Sequence, residues 1–353
     1  MRFDPAFPGR GHLWAMLAIR SMRCFYVNVI KNCTRPPARI IGVDVGGTKT
    51  HVRTVGPRGA LGAEMVVPSG AWRVGDLFSD PGNFRRLAET LEAACAPLPG
   101  SVAVLGMHGC DTGRQIEAAS RVMSGLLPGR VVVVNDAQLL GHAMHYSESI
   151  QMIVGTGAVI CGTTSDGTRI TVDGHGWPLG DQGSSSALVS SALRATLAAG
   201  DSGKLAEDVL YGVVLDAFAA ADAPELAAAA LDQAGPAEWG AHAPLIFAAA
   251  DAGSQAAGAI VDRAGTRLAR GVRHLLDRGA AGQVVVAAGG VIVNQPAYEA
   301  LIRRKIAEFS PGVDLVVLRE PPVAGAVALA EALAGPESGA PVQGQHGSPE
   351  RVS

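Results

Sequence analysis

The sequence is poor in aromatic residues and in net charge, and each shortage excludes a class of partner. Aromatic residues make up 5% of the 353 residues, too few for a stacking surface that binds single-stranded nucleic acid. Lysine and arginine number 29 against 32 acidic residues, so the net charge is only -3. Such a balance creates no strong field for nucleic acid or for an anionic membrane, and neither partner is expected.

Cysteine is scarce and unpaired. The five cysteines are odd in number and form no C-x-x-C pair; they are Cys24, Cys33, Cys95, Cys110 and Cys161. We therefore expect neither a disulfide framework nor a zinc ribbon. The pattern fits a reducing compartment, and the predicted location is cytoplasmic.

A convincing membrane span is missing as well. The best apolar candidate, residues 12–30, contains Arg20 and Arg23, which interrupt a span and a secretory hydrophobic region alike. We expect residues 1–38 to be an N-terminal extension that is disordered or precedes the true translation start. Residues 335–353 are rich in Gly, Pro, Ser and Gln, which predicts a disordered tail.

Between these ends the chain alternates apolar strands and helices in two similar cycles. Each cycle opens with strand, glycine-rich turn and strand, and continues with alternating helix and strand, which is typical of a mixed α/β sheet. The length favours two domains, predicted at 39–146 and 147–334, with the last helix packing back on the first domain. Residues 38–55 are predicted to form a strand, a glycine-rich turn and a second strand. The further predicted strands are 61–67, 102–106, 131–134, 151–154, 158–162, 284–288 and 315–318, and the predicted helical stretches are 84–96, 116–127, 188–199, 205–234, 243–276, 298–309 and 323–333.

The first glycine-rich turn follows Asp44 and reads Val-Gly-Gly-Thr-Lys-Thr. Gly46 and Gly47 allow backbone N–H groups to approach phosphate oxygens, and Thr48 adds a hydroxyl donor beside Lys49. Asp44 leaves the strand end where a carboxylate can hold Mg²⁺ through water. The spacing of a Walker A loop is absent, and a plain hairpin turn explains this motif equally well when it is taken alone.

Two further glycine motifs follow apolar strands. Gly155, Thr156 and Gly157 could hold phosphate from the opposite side, and Gly289 and Gly290 would let the backbone lie against a nucleotide. Each motif alone is also compatible with an ordinary turn.

The order and spacing of the three motifs resemble the two phosphate motifs and the adenosine motif of the superfamily of acetate and sugar kinases, Hsp70 and actin. More narrowly, residues 40–334 resemble the N-acetylglucosamine kinase and BadF/BadG/BcrA/BcrD ATPase family. The resemblance implies a two-domain actin-like ATPase fold of the ribonuclease H-like α/β class, with ATP, Mg²⁺ and a sugar acceptor in the interdomain cleft. It also implies a homodimer. The implied nucleotide-binding residues are Gly46, Gly47, Thr48, Lys49, Gly155, Thr156, Gly157, Gly289 and Gly290, with Asp44 for the metal.

Asp136, which follows the strand 131–134 and Asn135, matches the family's general base. A carboxylate at a strand end can accept the proton that a sugar hydroxyl loses as phosphate arrives. The alternative is a cap for the following helix, a role for which Asp is well suited.

The segment 173–184 resembles the family's loop that lines the sugar site. In it Asp181 matches the residue that hydrogen-bonds sugar hydroxyls, and Gly176 would let the loop approach the ring. Trp177 is either an apolar platform or a core residue. The implied substrate-contacting residues are Trp72, His108, Asn135, His175, Gly176 and Asp181.

The chain departs from the family pattern on the acceptor side. His175 stands where the family has Trp, Gln182 replaces Glu, and Gly70 replaces the Asn of sugar-specific members. These changes leave open which acceptor is used and whether an N-acetyl group is recognised. His108 could contact the acceptor or influence the charge near Asp136, or it could be a loop histidine with satisfied hydrogen bonds.

The sequence thus predicts an ATP-dependent kinase that phosphorylates a hydroxyl of an N-acetylglucosamine-like amino sugar. One alternative is an ATPase activator of the 2-hydroxyacyl-CoA dehydratase or benzoyl-CoA reductase type, which requires iron–sulfur ligands that Cys110 and Cys161 do not evidently form. A second alternative is a non-catalytic sugar-binding sensor, which His175 and Gly70 leave open.

Overall fold

A computed structural model of the chain describes residues 40–56, 59–95, 100–233 and 235–335. Nearly all of the predicted N-terminal extension and C-terminal tail lie outside the described residues. The described part contains two five-stranded sheets with helices around them. The predicted boundary between 39–146 and 147–334 remains a prediction.

The first sheet has the strand order β3-β2-β1-β4-β5. β2 and β3 pair antiparallel beside β1, whereas β4 and β5 run parallel to it. Every residue of β4 is buried, as expected for a parallel strand that is covered on both faces. The strands are β1 (Ile40–Val45), β2 (Lys49–Val55), β3 (Leu61–Pro68), β4 (Val102–Met107) and β5 (Arg130–Asn135).

The second sheet repeats this plan, with the order β10-β9-β6-β7-β8. Two antiparallel strands again lie on one side of the first strand and two parallel strands on the other. The repeated connectivity confirms the duplication that the two glycine-turn cycles suggested. The strands are β6 (Ile150–Val154), β7 (Ala158–Thr163), β8 (Arg169–Asp173), β9 (Val284–Ala288) and β10 (Asp314–Val317).

The helices follow the predicted apolar periodicity in most cases. They are α1 (Gly82–Cys95), α2 (Gly113–Leu126), α3 (Gln138–Ala143), α4 (Ser185–Asp201), α5 (Val209–Ala217), α6 (Ala223–Asp232), α7 (Pro236–Gly240), α8 (Ala243–Asp251), α9 (Gln255–Asp277), α10 (Gly290–Asn294), α11 (Pro296–Phe309) and α12 (Val323–Ala334). Ser184 caps α4 by accepting the N–H of Ala187. Asp251 ends α8, and Ser254 caps α9.

The last helix, α12, packs on the first sheet although it follows the second sheet in sequence. Its apolar face forms a core cluster with Ile40 and Val104, which lie on β1 and β4. Glycines permit this close approach: a Cβ on Gly42 would lie 2.6 Å from a methyl group of Val327, and one on Gly325 would strike the carbonyl oxygen of Leu139. The backbone therefore packs against a side chain at Gly42 and against backbone at Gly325.

Within the described residues, no single helix is long and apolar enough to cross a membrane. The segments Pro236–Asp251 and Gln255–Asp277 meet that criterion only when they are taken together, and they are bent by 116°.

Candidate functional site

The first glycine turn is held by the loop that follows β3. The backbone N–H and Oγ of Ser69 donate to the carbonyls of Thr48 and Gly46, both at 2.9 Å. The Nη2 of Arg73 donates to the carbonyl of Gly47 at 2.6 Å. Among the described residues, no acceptor engages the backbone N–H groups of the exposed Gly47 and Thr48, which leaves them for a ligand such as phosphate.

Two carboxylates, Asp44 and Asp136, lie near this turn at one edge of the first sheet. Asp44 pairs in register with Gly106 of β4, and Met107 pairs with Asn135, so β1 and β5 end at the same edge. Burial raises the pKa of Asp44 to about 7; the negative charge of Asp136 contributes, and Lys49 opposes the shift. Bringing two such carboxylates together is unfavourable without a cation.

The chemistry of this carboxylate pair suits a divalent cation such as Mg²⁺. Mg²⁺ prefers oxygen ligands and is often held by one or two carboxylates together with waters and substrate phosphates. Among the described residues there is no group of three or more His, Cys, Asp or Glu that could enclose a metal. The donor set therefore suits an ion that arrives with phosphate oxygens.

His108 lies beside the carboxylate of Asp136. Its Nδ1 is 3.4 Å from Oδ2 of Asp136, and this hydrogen bond is the main reason that the pKa of His108 is raised. The other oxygen, Oδ1, accepts the N–H of Ala137 at 3.0 Å. The side chains of His108 and Asp136 are 58% and 21% exposed, so the pair remains accessible to a substrate.

The alternative role of Asp136 as a helix cap is not observed. The N-cap of α3 is Ala137, and no side chain caps this helix. The carboxylate of Asp136 is therefore not required to begin α3.

Asn135 supports this corner from inside the protein. Its Nδ2 donates to the carbonyl of Cys110 and to Oδ1 of Asp111, at 3.2 and 3.1 Å. Its Oδ1 accepts the N–H of Ala137 at 3.0 Å and Nη2 of Arg169 at 2.8 Å. Protein partners thus occupy the buried amide that was predicted to contact substrate, which leaves it a supporting role.

The second glycine turn and the Gly289–Gly290 motif are brought into contact. Gly289 has φ +114, and a Cβ there would strike the carbonyl of Val154, so only glycine fits. The carbonyls of Gly155 and Thr156 accept the N–H of Ser185 and Oγ of Ser186, both at 2.9 Å. Two motifs that are far apart in sequence therefore form one surface.

A pocket of about 260 Å³ opens beside this surface. Its lining combines glycine backbone, apolar side chains and two amide side chains, which suits a nucleoside. The lining residues are Gly155, Thr156, Ser185, Gly240, Ala243, Pro244, Phe247, Gly290, Val291, Asn294 and Gln295. Sequence reasoning missed those from α7 and α8, because no local motif marks them.

The predicted sugar loop contacts the second glycine turn. Oδ1 of Asp181 accepts the N–H of Gly176 at 3.1 Å, and Oδ2 lies so close to Gly157 that a Cβ there would be 2.7 Å away. Burial raises the pKa of Asp181. The carboxylate of Asp173 accepts the N–H groups of Gly174, Asp181 and Gln182, which fixes the loop. His175 is exposed.

Neither tryptophan near the predicted acceptor site is an open platform. Trp72 is 3% exposed, belongs to the core of the first sheet and donates its indole N–H to Thr50 Oγ1 at 3.0 Å. We therefore do not include it among the substrate contacts that we propose. Trp177 is half-buried and packs edge-on against Trp239, with ring centroids 5.3 Å apart.

The predicted site residues thus fall into two groups. The base corner comprises Asp44, Lys49, His108 and Asp136 beside the first glycine turn. The nucleotide corner comprises the second glycine turn, Gly289, Gly290 and the nucleoside-sized pocket, with Asp181 and Gly176 next to it.

Sequence comparison identifies one matching family model and a curated relative. The family model, described as the BadF/BadG/BcrA/BcrD ATPase family, matches residues 41–330. A curated N-acetylmuramic acid/N-acetylglucosamine kinase from Clostridium acetobutylicum is 26% identical over 193 residues. That match covers 50% of this chain and 59% of the relative, so the chain spans less than two thirds of the relative's length.

Two solved structures share the fold. A provisionally named N-acetylglucosamine kinase from Chromobacterium violaceum superposes with a TM-score of 0.60 at 24% identity, covering 84% of this chain and 99% of the other. A second, from Porphyromonas gingivalis, gives 0.57 at 18% identity, covering 82% and 97%. At these identities the likeness concerns the fold, and with the family match it confirms the predicted two-domain actin-like class.

Proposed function

The chain belongs to the BadF/BadG/BcrA/BcrD ATPase family, and from that premise we propose that it is an ATP-dependent kinase that phosphorylates a hydroxyl of an amino sugar related to N-acetylglucosamine. The proposal rests on one observation: Asp136, at a strand end, is accessible and lies beside both Asp44 and the first glycine turn. The names of the curated relative and of the two structural neighbours support the choice of acceptor class.

In the proposed reaction Asp136 acts as the general base. The acceptor hydroxyl loses its proton to Oδ2 of Asp136 as its oxygen bonds to the γ-phosphorus of ATP, and the bond from that phosphorus to the β,γ-bridging oxygen breaks to leave ADP. The hydrogen bond from Ala137 holds Oδ1, so Oδ2 faces the substrate side with His108.

The phosphates are held between the two glycine turns. The N–H groups of Gly47 and Thr48 on one side and of Thr156 and Gly157 on the other are the proposed donors, while the N–H of Gly155 closes the second turn on the carbonyl of Gly157. Asp44 would hold Mg²⁺, which neutralises phosphate charge when it is bound. Lys49 adds a positive charge to the same turn.

The nucleoside and the acceptor occupy different parts of the site. The pocket that Phe247, Val291 and Asn294 help to line is the proposed nucleoside site, since it adjoins the second glycine turn. The loop bearing His175, Gly176 and Asp181 is the proposed acceptor contact. Hydrogen bonds from Gly176 fix Asp181 Oδ1, which pre-orients this carboxylate for sugar hydroxyls.

The cysteines favour the kinase over the iron–sulfur activator. Cys110 and Cys161 are fully buried, and burial raises the pKa of Cys110 to about 12. Thiols of this kind are poor cluster ligands because ligation requires the thiolate. A non-catalytic sensor would have no use for the acidic pair of Asp44 and Asp136.

ADP release with Mg-ATP across a sugar panel tests the proposal. The panel holds N-acetylglucosamine, glucosamine, glucose, N-acetylmannosamine and N-acetylmuramic acid, and the variants are Asp136→Asn and, as a control, the exposed Asp216→Asn. We expect at least one sugar to stimulate turnover, Asp136→Asn to lower kcat roughly 10²-fold or more, and the control to match wild type. Turnover that no sugar stimulates, or that survives Asp136→Asn, would refute the proposed function.

A further inference from the structure

Arg73 places a guanidinium at the first glycine turn, although no motif marked this residue. The side chain is half-buried, and its Nη2 donates to the carbonyl of Gly47 at 2.6 Å. Its backbone N–H donates to the carbonyl of Ser69 at 2.8 Å, which anchors the residue on the loop that follows β3. Among the described residues, no acceptor is hydrogen-bonded to the remaining guanidinium N–H groups.

The surroundings place Arg73 between the glycine turn and the base. Its positive charge acts on His108, whose pKa it lowers against the larger effect of Asp136. The imidazole of His108 faces Gly47: a Cβ on Gly47 would lie 3.9 Å from Nε2 of the ring, while Nδ1 is directed at Asp136. Arg73, Gly47, His108 and Asp136 thus form a continuous row.

We propose that Arg73 binds the phosphoryl group that is transferred, a catalytic role that rests on the kinase function proposed above. A phosphoryl group that moves from nucleotide to acceptor must pass between the glycine turn, which binds phosphates, and Asp136, which takes the acceptor proton. The free N–H groups of Arg73 lie on this path and donate to its non-bridging oxygens. No covalent bond to Arg73 forms or breaks.

The physical reason is electrostatic. Phosphoryl transfer is accelerated mainly by positioning and by stabilising charge on the equatorial oxygens, and a planar guanidinium with several donors suits this task. The hydrogen bond to Gly47 fixes the guanidinium before substrate arrives, so little reorganisation is required. His108 lies on the same side of the base, with Nδ1 directed at Asp136.

Two other roles would use the same residue. Arg73 could only brace the glycine turn through Gly47, in which case every nucleotide that uses the turn would be affected equally. It could instead recognise an acid group on the acceptor, in which case its loss would affect acidic sugars alone. Both roles make predictions that differ from ours.

The test compares Arg73→Gln and Arg73→Lys with Arg85→Gln, an exposed arginine on α1, as the matched control. Dissociation constants for Mg-ADP and for Mg-AMPPNP, an analogue that keeps the γ-phosphate, are measured by calorimetry. We expect Arg73→Gln to raise the dissociation constant of Mg-AMPPNP about tenfold or more and that of Mg-ADP less than twofold. The AMPPNP affinity of Arg73→Lys should lie between those of wild type and Arg73→Gln, because lysine keeps the positive charge but lacks the planar set of guanidinium donors. The affinities of Arg85→Gln should match those of wild type.

A kinetic arm uses one neutral and one acidic sugar, N-acetylglucosamine and N-acetylmuramic acid. Arg73→Gln should lower kcat for every accepted sugar by a similar factor. The proposed role would be overturned if Arg73→Gln weakened the binding of ADP and AMPPNP equally. It would also be overturned if the only change were a higher KM for the acidic sugar. If wild type binds nucleotide and phosphorylates sugar but Arg73→Gln behaves like the control, this inference alone fails; if wild type binds no nucleotide, the kinase function fails with it.

Discussion

At the scale of single residues, the site is built from charges that the fold holds in an unfavourable state. Asp44 is largely buried next to the charge of Asp136, and this environment raises its pKa to about 7 from a usual value of 3.8. A structural role alone would not require such a pair, whereas a divalent cation with phosphate would relieve its repulsion.

The raised pKa of Asp44 predicts a pH-dependent stability. A carboxyl whose folded pKa is raised contributes stability that is fully present below 3.8 and is lost as pH rises to about 7. Asp44→Asn imitates the protonated form, so it should raise the Tm of the metal-free protein by several degrees at pH 8. The measurement is calorimetry between pH 4 and pH 8, with Asp216→Asn as control. A Tm difference that does not grow between pH 4 and pH 7 would contradict the burial argument.

Residue-scale prediction from sequence worked where chemistry is local. Asp44 lies near the end of β1 and Asp136 directly follows β5, so their meeting at one sheet edge could be expected. Arg73 and Arg169 could not be found in this way, because their partners lie 26 and 34 positions away, at Gly47 and Asn135. Likewise, Asn135 was predicted to contact substrate, yet its amide is used by protein groups that only the fold brings together.

At the scale of elements, apolar periodicity located most strands and helices, and the exceptions have identifiable causes. β8 was not predicted because its five residues, Arg169 to Asp173, adjoin a turn and are only partly buried. The short helices α7 and α10 have five residues each, fewer than two turns, so no apolar period is visible in them.

The packing of α12 predicts that adding one methyl group at Gly325 strongly lowers the stability of the protein. Gly325→Ala would place a Cβ against the carbonyl of Leu139, where backbone cannot move aside easily, and should destabilise the protein by about 3 kcal/mol. Gly125→Ala, in α2, has open space around its Cβ and should be neutral or stabilising by about 0.5–1 kcal/mol. Urea unfolding measures both, and a Gly325→Ala variant as stable as wild type would refute this packing.

The pocket of the nucleotide corner can be blocked without disturbing the fold. A Cβ on Gly290 meets no atom within 4 Å, so the side chain of Gly290→Leu should extend into the pocket. The variant should bind Mg-ADP about tenfold or more weakly, while its Tm stays nearly unchanged. Gly212→Leu, an exposed site on α5 with similar space, is the control. Unchanged ADP affinity in Gly290→Leu would place the nucleoside elsewhere.

At the scale of the whole molecule, Arg169 connects the two sheets beside the base corner. It lies on β8, and its guanidinium donates to Oδ1 of Asn135 at 2.8 Å and to the carbonyl of Asp111 at 3.2 Å. It is also 3.8 Å from the carboxylate of Asp111. The support of Asp136 therefore depends on both sheets.

Removing this connection should cost stability and activity together. Arg169→Gln leaves the buried Oδ1 of Asn135 with a poorer partner and should lower the free energy of unfolding by about 2 kcal/mol or more. Sugar-dependent kcat should fall as well, because Asn135 no longer holds the backbone next to Asp136. Arg273→Gln breaks only an exposed pair with Asp277 and should cost less than about 1 kcal/mol. Equal effects of the two variants in urea unfolding would argue against a connecting role for Arg169.

Duplication is the whole-molecule feature that sequence revealed best, since the two similar glycine-turn cycles suggested it and the two sheets have the same connectivity. The pairing of the second turn with Gly289 required the fold, because β9 joins β6 after more than 100 intervening residues.

The most direct test of the account is the fate of the γ-phosphate. The protein is incubated with Mg²⁺, [γ-³²P]ATP and the best sugar of the panel, and the products are separated by chromatography. We predict that the label appears in a sugar phosphate in stoichiometric amounts with ADP, and that Asp136→Asn transfers almost none. Label found only in inorganic phosphate, or transfer that persists in Asp136→Asn, would contradict a sugar kinase that uses Asp136 as its base.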